Sequence, residues 1–304
     1  MKKQISKLLL GCALIAFSIG SCTKDNGTPP DNKPDIKDTT PKEPAFLADS
    51  TPKTRVAVLE DFTGVRCQYC PDGHDRAKAI EADYGDRFIT IANHSGGYAA
   101  PQTGWNNFTT KYGEAIDRQA APLGYPAGTI NRLVFEDYLQ TSGTYVSKMA
   151  MNRNNWRAAA EEAMGMPAPV NLGAKAIFDE ATRKLTVRVD IYYTADETVA
   201  NNLNVAILQD NLLSRQSNTN GINRDYPQHN VLRDYLTGQW GEVITEAKTK
   251  GAKITKTYVY DVPADYNGTG PSGGGAVVID DLKVVAFVAR GRKDITNAVE
   301  VDVK

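Results

Sequence analysis

Asp61-Phe62-Thr63-Gly64-Val65-Arg66-Cys67-Gln68-Tyr69-Cys70-Pro71 is the segment around which the chain is organised. The apolar run at residues 55–60 predicts a buried strand before it, and the pattern at 76–82 predicts a helix after it. The two cysteines therefore lie where a strand ends and a helix begins. Unpaired N–H groups and the helix dipole favour a thiolate there, so Cys67 is predicted to be a nucleophile, with Cys70 close enough to form a disulfide.

The overall composition is that of a globular protein, with 304 residues, a net charge of -1 and 41% hydrophobic residues. This length predicts one to three domains. Because basic residues are not in excess, we expect no nucleic-acid-binding surface. After about the first twenty residues, no apolar run is long enough to span a bilayer.

The N-terminus resembles a bacterial lipoprotein signal. Lysines at its start precede an apolar region that ends in Ile19-Gly20-Ser21-Cys22. In such signals the cysteine is acylated and becomes the first mature residue; the alternative is an ordinary cleavable signal in which Cys22 is incidental. Because Thr23 is not aspartate, the outer membrane is the predicted location, and the side that the protein faces stays open. With Cys12 removed and Cys22 lipidated, Cys67 and Cys70 remain for chemistry.

The patterns divide the chain into four segments. Residues 1–21 are the predicted signal peptide, and the Pro-rich residues 22–53 a disordered tether. Residues 54–166 alternate strand and helix, with helices expected at 106–119 and from Trp156, the second capped by Asn154 or Asn155. Residues 167–304 show a period of two, which predicts an all-β immunoglobulin-like sandwich with one helical turn at 230–236.

The order of elements over residues 54–165 resembles the thioredoxin fold. Cys67-Gln68-Tyr69-Cys70-Pro71 is similar to its redox motif, and Asp61-Phe62 to its strand-end pair. Tyr125-Pro126 stands where that fold carries a cis-proline facing the disulfide. The predicted fold class is therefore an α/β thioredoxin-like domain followed by the immunoglobulin-like sandwich.

The whole chain resembles the Omp28-related family of outer-membrane lipoproteins. The resemblance rests on Phe62-Thr63-Gly64, on Gly124-Tyr125-Pro126-Ala127-Gly128-Thr129-Ile130-Asn131-Arg132, and on His229-Asn230-Val231-Leu232-Arg233-Asp234. It implies a thioredoxin-like domain on a surface or periplasmic lipoprotein, in a family whose biochemical activity is poorly defined.

The thioredoxin resemblance implies a role for each residue of the predicted catalytic site. Cys67 would be the attacking thiol and Cys70 the resolving one. Asp61 would be a buried carboxylate that helps Cys70 lose its proton, because burial raises the pKa of a carboxyl group. Pro126, in the cis form, would shape a groove and leave the Tyr125 backbone free to pair with an extended substrate.

The predicted substrate groove departs from the thioredoxin pattern. Arg66 replaces the usual tryptophan, which supplies a cation that favours the thiolate but removes an aromatic rim. Gln68 and Tyr69 replace Gly-Pro between the cysteines and tune the reduction potential, so the direction of electron flow stays open. Together with Tyr125, these three residues form the expected groove.

Several other patterns have a structural explanation beside a functional one. Cys67, Cys70, His74 and His94 could supply four zinc ligands, but a histidine on a helix surface is the commoner reason for His74, and no metal or other cofactor is predicted. The GxGxxG pattern at 268–273 lacks a βαβ unit and is interpreted as a hairpin loop. Tyr98 and Trp105 either line a groove beside the cysteines or pack in a core.

His229, Arg233 and Asp234 are a further candidate site, on the second domain. A polar site is one interpretation, and the capped helical turn expected at 230–236 is the favoured one.

Two functions remain open at this level. The first is a lipid-anchored thiol–disulfide oxidoreductase whose partners are protein thiols or disulfides. The second is a surface-binding or adhesin-type lipoprotein, in which the sandwich holds a surface ligand and the disulfide is only structural. In both, the N-terminal lipid makes the membrane a partner.

Overall fold

The structure is a computed structural model that describes residues 45–304, and it has a mixed α/β fold with a large β content. The predicted signal peptide, Cys22 and the tether as far as residue 44 lie outside the described residues. Within the described part, the α-helices are α1 (Cys70–Tyr84), α2 (Gly96–Ala99), α3 (Gly113–Ala120) and α4 (Trp156–Gly165). None of these helices is long and apolar enough to cross a bilayer.

The strands of the described residues form three sheets of ten, three and two strands. In chain order they are β1 (Ala57–Thr63), β2 (Phe88–His94), β3 (Ala127–Ile130), β4 (Leu139–Ser142), β5 (Tyr145–Asn152), β6 (Val170–Asp179), β7 (Lys184–Tyr193), β8 (Asn201–Gln209), β9 (Leu212–Asn218), β10 (Gly221–Gln228), β11 (Val231–Tyr235), β12 (Glu242–Val243), β13 (Lys253–Asp261), β14 (Leu282–Arg290) and β15 (Lys293–Asp302).

Strand β1 lies in the interior of the ten-stranded sheet, whose order is β15-β14-β8-β11-β2-β1-β3-β5-β4, with β12 beside β8. It pairs in parallel with β2 and antiparallel with β3. All seven of its residues are buried, as expected for a strand covered on both faces. Because side chains alternate along a strand, Ala57 and Leu59 pack on α1 and α4, while Val58 and Phe62 pack on the opposite side with Ile116 of α3.

The segment at 230–236 is strand β11, so the predicted helical turn is wrong. β11 fits between β2, to which it is parallel, and β8, to which it is antiparallel. Val231 and Leu232 are buried there. Pairing with two neighbouring strands therefore overrides the local turn signals. Because the segment is short, its periodicity does not reveal that it forms a strand.

The helix expected at 106–119 is only half right. Helix α3 starts only at Gly113, after a turn in which the Thr110 hydroxyl accepts hydrogen bonds from Tyr112 N (3.3 Å) and Gly113 N (3.1 Å). The helix that begins at Trp156 forms as predicted, but Asn155 makes no side-chain capping hydrogen bond.

The three-stranded sheet has the order β13-β7-β6 and packs its apolar side against β8 and β14. Val187, Val189 and Ile191 of β7 meet Val205 and Ile207 of β8 in this core. The ten-stranded sheet contains strands from both sides of the boundary predicted at 166/167. The thioredoxin-like and immunoglobulin-like assignments and that boundary stay predictions.

Residues 45–53 contact the three-stranded sheet, so the disorder predicted for 22–53 does not extend to them. Leu47 N donates to Asp190 Oδ2 (2.7 Å), and Asn171 Nδ2 donates to the carbonyls of Asp49 and Thr51 (both 2.7 Å). Gly173 allows this close approach, because a Cβ there would lie 2.4 Å from the Leu47 carbonyl carbon. The polar, Pro-rich composition of residues 22–53 as a whole hides these hydrogen bonds.

Strands β9 and β10 form an antiparallel hairpin of their own, at residues 212–228, which we call the cover hairpin. The sequence patterns did not predict it. Its β9 strand returns to the segment that contains the cysteines, since Ser217 N donates to Val65 O (2.8 Å). The fold therefore brings a distant hairpin onto the loop between β1 and α1.

Candidate functional site

Cys67 and Cys70 form a disulfide at the N-terminus of α1. Their Cα atoms are 5.4 Å apart, and Cys70 is the first residue of the helix. Pro71 follows in the first turn, where its missing N–H costs no helical hydrogen bond. The loop before the helix is closed by Cys67 N, which donates to Gly64 O (2.9 Å).

The disulfide lies under the cover hairpin. Cys67 is 2% exposed and Cys70 is fully buried. Gln216 Nε2 donates to the carbonyls of Cys67 (2.9 Å) and Gly64 (3.3 Å), and Gln228 Nε2 donates in turn to Gln216 Oε1 (2.8 Å). The hairpin is therefore hydrogen-bonded to the backbone of the segment that contains the two cysteines.

An open groove of about 320 Å³ lies beside the disulfide. It brings together the predicted groove residues with Cys67, and adds residues of the cover hairpin. Tyr98 also lines it, whereas Trp105 packs on the small core around Val65 and Phe108. The full lining is Arg66, Cys67, Gln68, Tyr69, Tyr98, Tyr125, Ser217, Asn218, Gly221 and Ile222.

Arg66 uses its guanidinium to hold the neighbouring loop. Its Nη1 donates to Gln102 Oε1, and its Nη2 donates to the carbonyls of Gly97 and Ala100. Through these bonds, the loop around α2 holds the positive charge of the Arg66 guanidinium. The side chain therefore shapes one wall of the groove.

The Tyr125–Pro126 peptide bond is cis, and Pro126 packs on the first turn of α1. A Cβ added at Gly73 would lie 3.0 Å from Pro126 Cγ and 3.1 Å from Pro126 Cβ. Glycine at position 73 therefore lets the proline approach the helix three residues after Cys70. On the other side of the Tyr125–Pro126 peptide bond, the Tyr125 hydroxyl donates a hydrogen bond to Asp117 Oδ2.

Asp61 is an isolated buried carboxyl group on the α1 side of β1. It is 1% exposed, and neither of its oxygens has a hydrogen-bond partner. Burial raises the pKa of Asp61 to about 8. The side chain is therefore predominantly protonated at neutral pH.

His74 lies beside Asp61, with its Nε2 3.7 Å from Asp61 Oδ2. Burial, with a smaller contribution from the charge of His229, lowers the pKa of His74 to about 4. Both partners are thus neutral near pH 7, and they do not form an ion pair. His74 also bonds Thr63 Oγ1 through Nε2 and Tyr226 OH through Nδ1, each at 2.9 Å. It is therefore largely enclosed, and the surface position expected for it is wrong.

A second cavity of about 260 Å³ borders Asp61, His74 and Tyr226 on this side. His229 lies in its wall, 3.8 Å from Asp210 Oδ1. Tyr226 and this cavity are the parts of the site that the sequence reasoning missed. Tyr226 is 152 residues from His74 in the chain, so no local spacing pointed to it.

The other candidate groups do not converge. Arg233 donates to Gly274 O (2.8 Å), whereas Asp234 accepts a hydrogen bond from Tyr260 (2.9 Å), so these two do not form one site with His229. His94 packs edge-on against Phe108, and neither ring nitrogen has a partner. Over residues 45–304, no three His, Cys, Asp or Glu side chains are arranged to hold a metal ion.

The chain matches the family model described as outer membrane protein Omp28 over residues 114–304. The match covers more than half of the chain, which therefore belongs to this outer-membrane family, as the sequence resemblance predicted. The predicted outer-membrane location is confirmed with it. The match begins within α3, so the cysteine pair lies before it.

Solved structures give weaker likenesses. A structural-genomics protein from Agrobacterium tumefaciens is 13% identical, with 82% of this chain and 95% of that chain covered and a TM-score of 0.48. A domain of the outer membrane lipoprotein Omp28 from Porphyromonas gingivalis is 19% identical, with 45% and 89% covered and a TM-score of 0.29. TM-scores below 0.5 do not establish a shared fold. No curated protein matches the chain.

Proposed function

We propose that this outer-membrane protein carries out thiol–disulfide exchange through Cys67 and Cys70. The observation that carries the proposal is that Cys67 lines an open groove bounded by Tyr125, the residue before the cis-proline. An inert brace needs no groove beside it. The proposal includes the thioredoxin-like assignment of residues 54–166, the sandwich at 167–304 and the lipid anchor at Cys22.

In the proposed reaction, a substrate thiolate attacks Cys67 Sγ and the Cys67–Cys70 bond breaks. Cys70 leaves as a thiolate and takes the proton of Asp61, whose raised pKa keeps that proton available. A second substrate thiolate then attacks the mixed disulfide and displaces Cys67 as a thiolate. One substrate disulfide forms while the disulfide of this protein is reduced to a Cys67 thiolate and a Cys70 thiol; the reverse sequence reduces a substrate.

The groove residues have supporting roles in this proposal. Arg66, Gln68 and Tyr69 form the rim next to Cys67, and the backbone of Tyr125 is available to pair with an extended peptide. Because Cys67 is only 2% exposed, a protein substrate must displace part of the cover hairpin to reach its sulfur. Protein thiols or disulfides on flexible segments are therefore the expected substrates.

The test is exchange activity of the mature chain. The wild type should reduce insulin, or exchange a dithiol peptide, faster than the matched variants Cys67→Ser and Cys70→Ser. Equal rates for the wild type and Cys67→Ser would remove the proposal.

A second candidate function is binding of a surface ligand, with the disulfide as a brace. The burial of both cysteines and the Gln216 bonds to the motif backbone favour it. In that case Cys67→Ala/Cys70→Ala would lower the melting temperature and leave partner binding intact. Loss of binding at unchanged stability would contradict this second function.

A further inference from the structure

We propose that an open pocket beside β11 binds a small organic carboxylate, which pairs with the guanidinium of Arg233. The pocket has a volume of about 240 Å³, and it is lined by residues 108–112, by residues 232–234 of β11, and by Tyr266 and Asn267. We call it the Arg233 pocket. It shares no lining residue with the groove beside the disulfide or with the second cavity, so the inference does not rest on the proposed function.

Arg233 is a buried cation without an acidic partner. It is 4% exposed, its Nη2 donates to Gly274 O (2.8 Å), and its Nε is buried with no hydrogen-bond partner. Within residues 45–304, Nη1 makes no hydrogen bond, and no carboxylate forms an ion pair with the guanidinium. Strand β11 therefore places an unpaired positive charge at the edge of the pocket.

The two other buried arginines in the described part of the chain are paired with acids. Arg132 pairs with Glu60 (2.6 Å), and Arg55 pairs with Asp294 (2.6 Å). Burying a charge is costly unless it is paired, and at these two positions a carboxylate of the chain meets that need. Arg233 instead faces an open pocket, so the carboxylate that it lacks comes from a ligand.

The charge of Arg233 is not cancelled by the rest of the lining. Burial lowers the pKa of Arg233 to about 10, so the guanidinium stays charged at neutral pH. Lys111 and Asp234 are the other charged residues of the lining, and Asp234 accepts a hydrogen bond from Tyr260 (2.9 Å). Asp265 lies outside the lining, and its charge has a smaller effect on the Arg233 pKa than burial has. With two cations and one anion, the lining has one surplus positive charge.

Two aromatic rings and one carbonyl group orient the guanidinium. Its Cζ lies 4.5 Å from the ring centroid of Tyr266 and 5.7 Å from that of Phe108. Because Nη2 uses one N–H to bond Gly274 O, its other N–H and those of Nη1 are left for a ligand. Such a fork matches the two oxygens of a planar carboxylate, and the surplus charge matches its single charge. A phosphate monoester carries more than one charge at pH 7 and fits less well.

The rest of the lining fits an aromatic or aliphatic body. Phe108, Tyr112 and Tyr266 contribute rings, and Leu232 contributes an aliphatic side chain. Apolar walls with a few placed polar groups are typical of sites for small molecules. A volume of about 240 Å³ is smaller than most sites for drug-sized molecules, so the ligand is small. Benzoate, a carboxylate on one aromatic ring, is therefore a suitable probe.

A purely structural role for Arg233 makes a different prediction. The side chain would then only hold the loop that contains Tyr266 and Gly274 against β11. Arg183 has such a role away from the pocket, since its Cζ lies 5.9 Å from the ring centroid of Phe178 and its Nη2 donates to Pro263 O (2.8 Å). If Arg233 were no more than this, Arg233→Gln would lower stability without any effect on a ligand.

The experiment is calorimetric titration of the mature chain with benzoate, benzamide and phenyl phosphate at pH 7 and constant ionic strength. Benzoate should bind at least about tenfold more tightly than benzamide, which has the same shape without the charge, and more tightly than phenyl phosphate. Arg233→Gln should weaken benzoate binding at least about tenfold, and loss of the exposed rim charge in Lys111→Ala should weaken it roughly threefold. Arg183→Gln is the matched control and should bind benzoate like the wild type.

Each contrary result overturns the inference. These results are no binding of benzoate, equal binding of benzoate and benzamide, tighter binding of phenyl phosphate, or unchanged binding of benzoate by Arg233→Gln. Thermal unfolding shows whether Arg233→Gln is folded. If it is not, Arg233→Lys replaces it: this variant keeps the charge but loses the fork, so it should bind benzoate several-fold more weakly, and unchanged binding overturns the inference. Exchange at Cys67–Cys70 is measured separately, and none of these results bears on it.

Discussion

Glu60 and Asp61 are adjacent carboxyl groups on β1, each 1% exposed, and they lie on opposite faces of the sheet. On one face, Glu60 accepts hydrogen bonds from Arg132 Nη2 (2.6 Å) and Nε (3.0 Å). On the other face, Asp61 has no hydrogen-bond partner. The chain therefore pairs the buried carboxyl group of Glu60 with an arginine and leaves the buried carboxyl group of Asp61 without a hydrogen-bond partner.

The largest expected effect is on the Glu60 face. Arg132→Ala leaves Glu60 buried without its partner, so we expect a loss of about 3–5 kcal/mol in the free energy of unfolding. Urea denaturation measures it. The matched control is Arg157→Ala, since Arg157 pairs with Asp83 on the surface and should change stability by about 1 kcal/mol or less. An equally small loss of stability for Arg132→Ala would show that the buried Glu60 carboxylate does not depend on its pairing with Arg132.

The second expected effect is on the Asp61 face and depends on pH. Because folding raises the pKa of Asp61 from 3.8 to about 8, the folded state binds its proton more tightly than the unfolded state. The wild type should therefore lose about 1.4 kcal/mol of stability per pH unit between these values. Asp61→Asn cannot titrate, so its stability relative to the wild type should rise with pH over that range.

Denaturation at pH 5 and pH 8 measures this difference, with the exposed Asp225→Asn as the control. A constant difference between Asp61→Asn and the wild type at the two pH values would contradict the account of an isolated acid.

A third expected effect concerns the cover hairpin on the Asp61 side. Gln216→Ala removes the hydrogen bonds to the Cys67 and Gly64 carbonyls, at a cost of about 1–3 kcal/mol. We expect reduction of the disulfide by dithiothreitol to become several-fold faster. Arg224→Ala, at an exposed position of the same hairpin, should leave the rate unchanged. A rate that does not respond to Gln216→Ala would mean that the hairpin does not limit access.

The smallest expected effect is at the contact between α1 and the cis-proline. Replacing a helical glycine by alanine usually stabilises a helix by roughly 0.5–1 kcal/mol. At Gly73 the new Cβ would crowd Pro126, so we expect Gly73→Ala to destabilise the fold instead. Gly165→Ala is the helical control, because its Cβ would meet nothing within 4 Å. If both variants gain stability in thermal unfolding, the proline is not packed on α1 as described.

The sequence predicts the local part of this arrangement well. A strong apolar run and a helical pattern on either side of the cysteines indicate β1 and α1, and they indicate the disulfide at the junction. The position of Tyr125 at the groove and the cis peptide bond before Pro126 come from the resemblance. Each of these inferences depends on residues that are close in the chain or on a short, specific motif.

The rest depends on contacts that no local pattern records. The sequence of β11 predicts a turn, and only its pairing with β2 and β8 makes it a strand. The cover hairpin carries many polar or exposed residues. Tyr226 reaches His74 across 152 residues. The pairing of Glu60 with Arg132, and the isolation of Asp61, likewise follow from which elements pack on each face of β1.

The most direct test of the central claim is the pH dependence of disulfide opening in the wild type and in Asp61→Asn. After correction for titration of the reductant, the wild-type rate should change around pH 8, and Asp61→Asn should be slower and lose that change. Identical profiles for the two proteins would contradict the claim that Asp61 serves the Cys67–Cys70 pair.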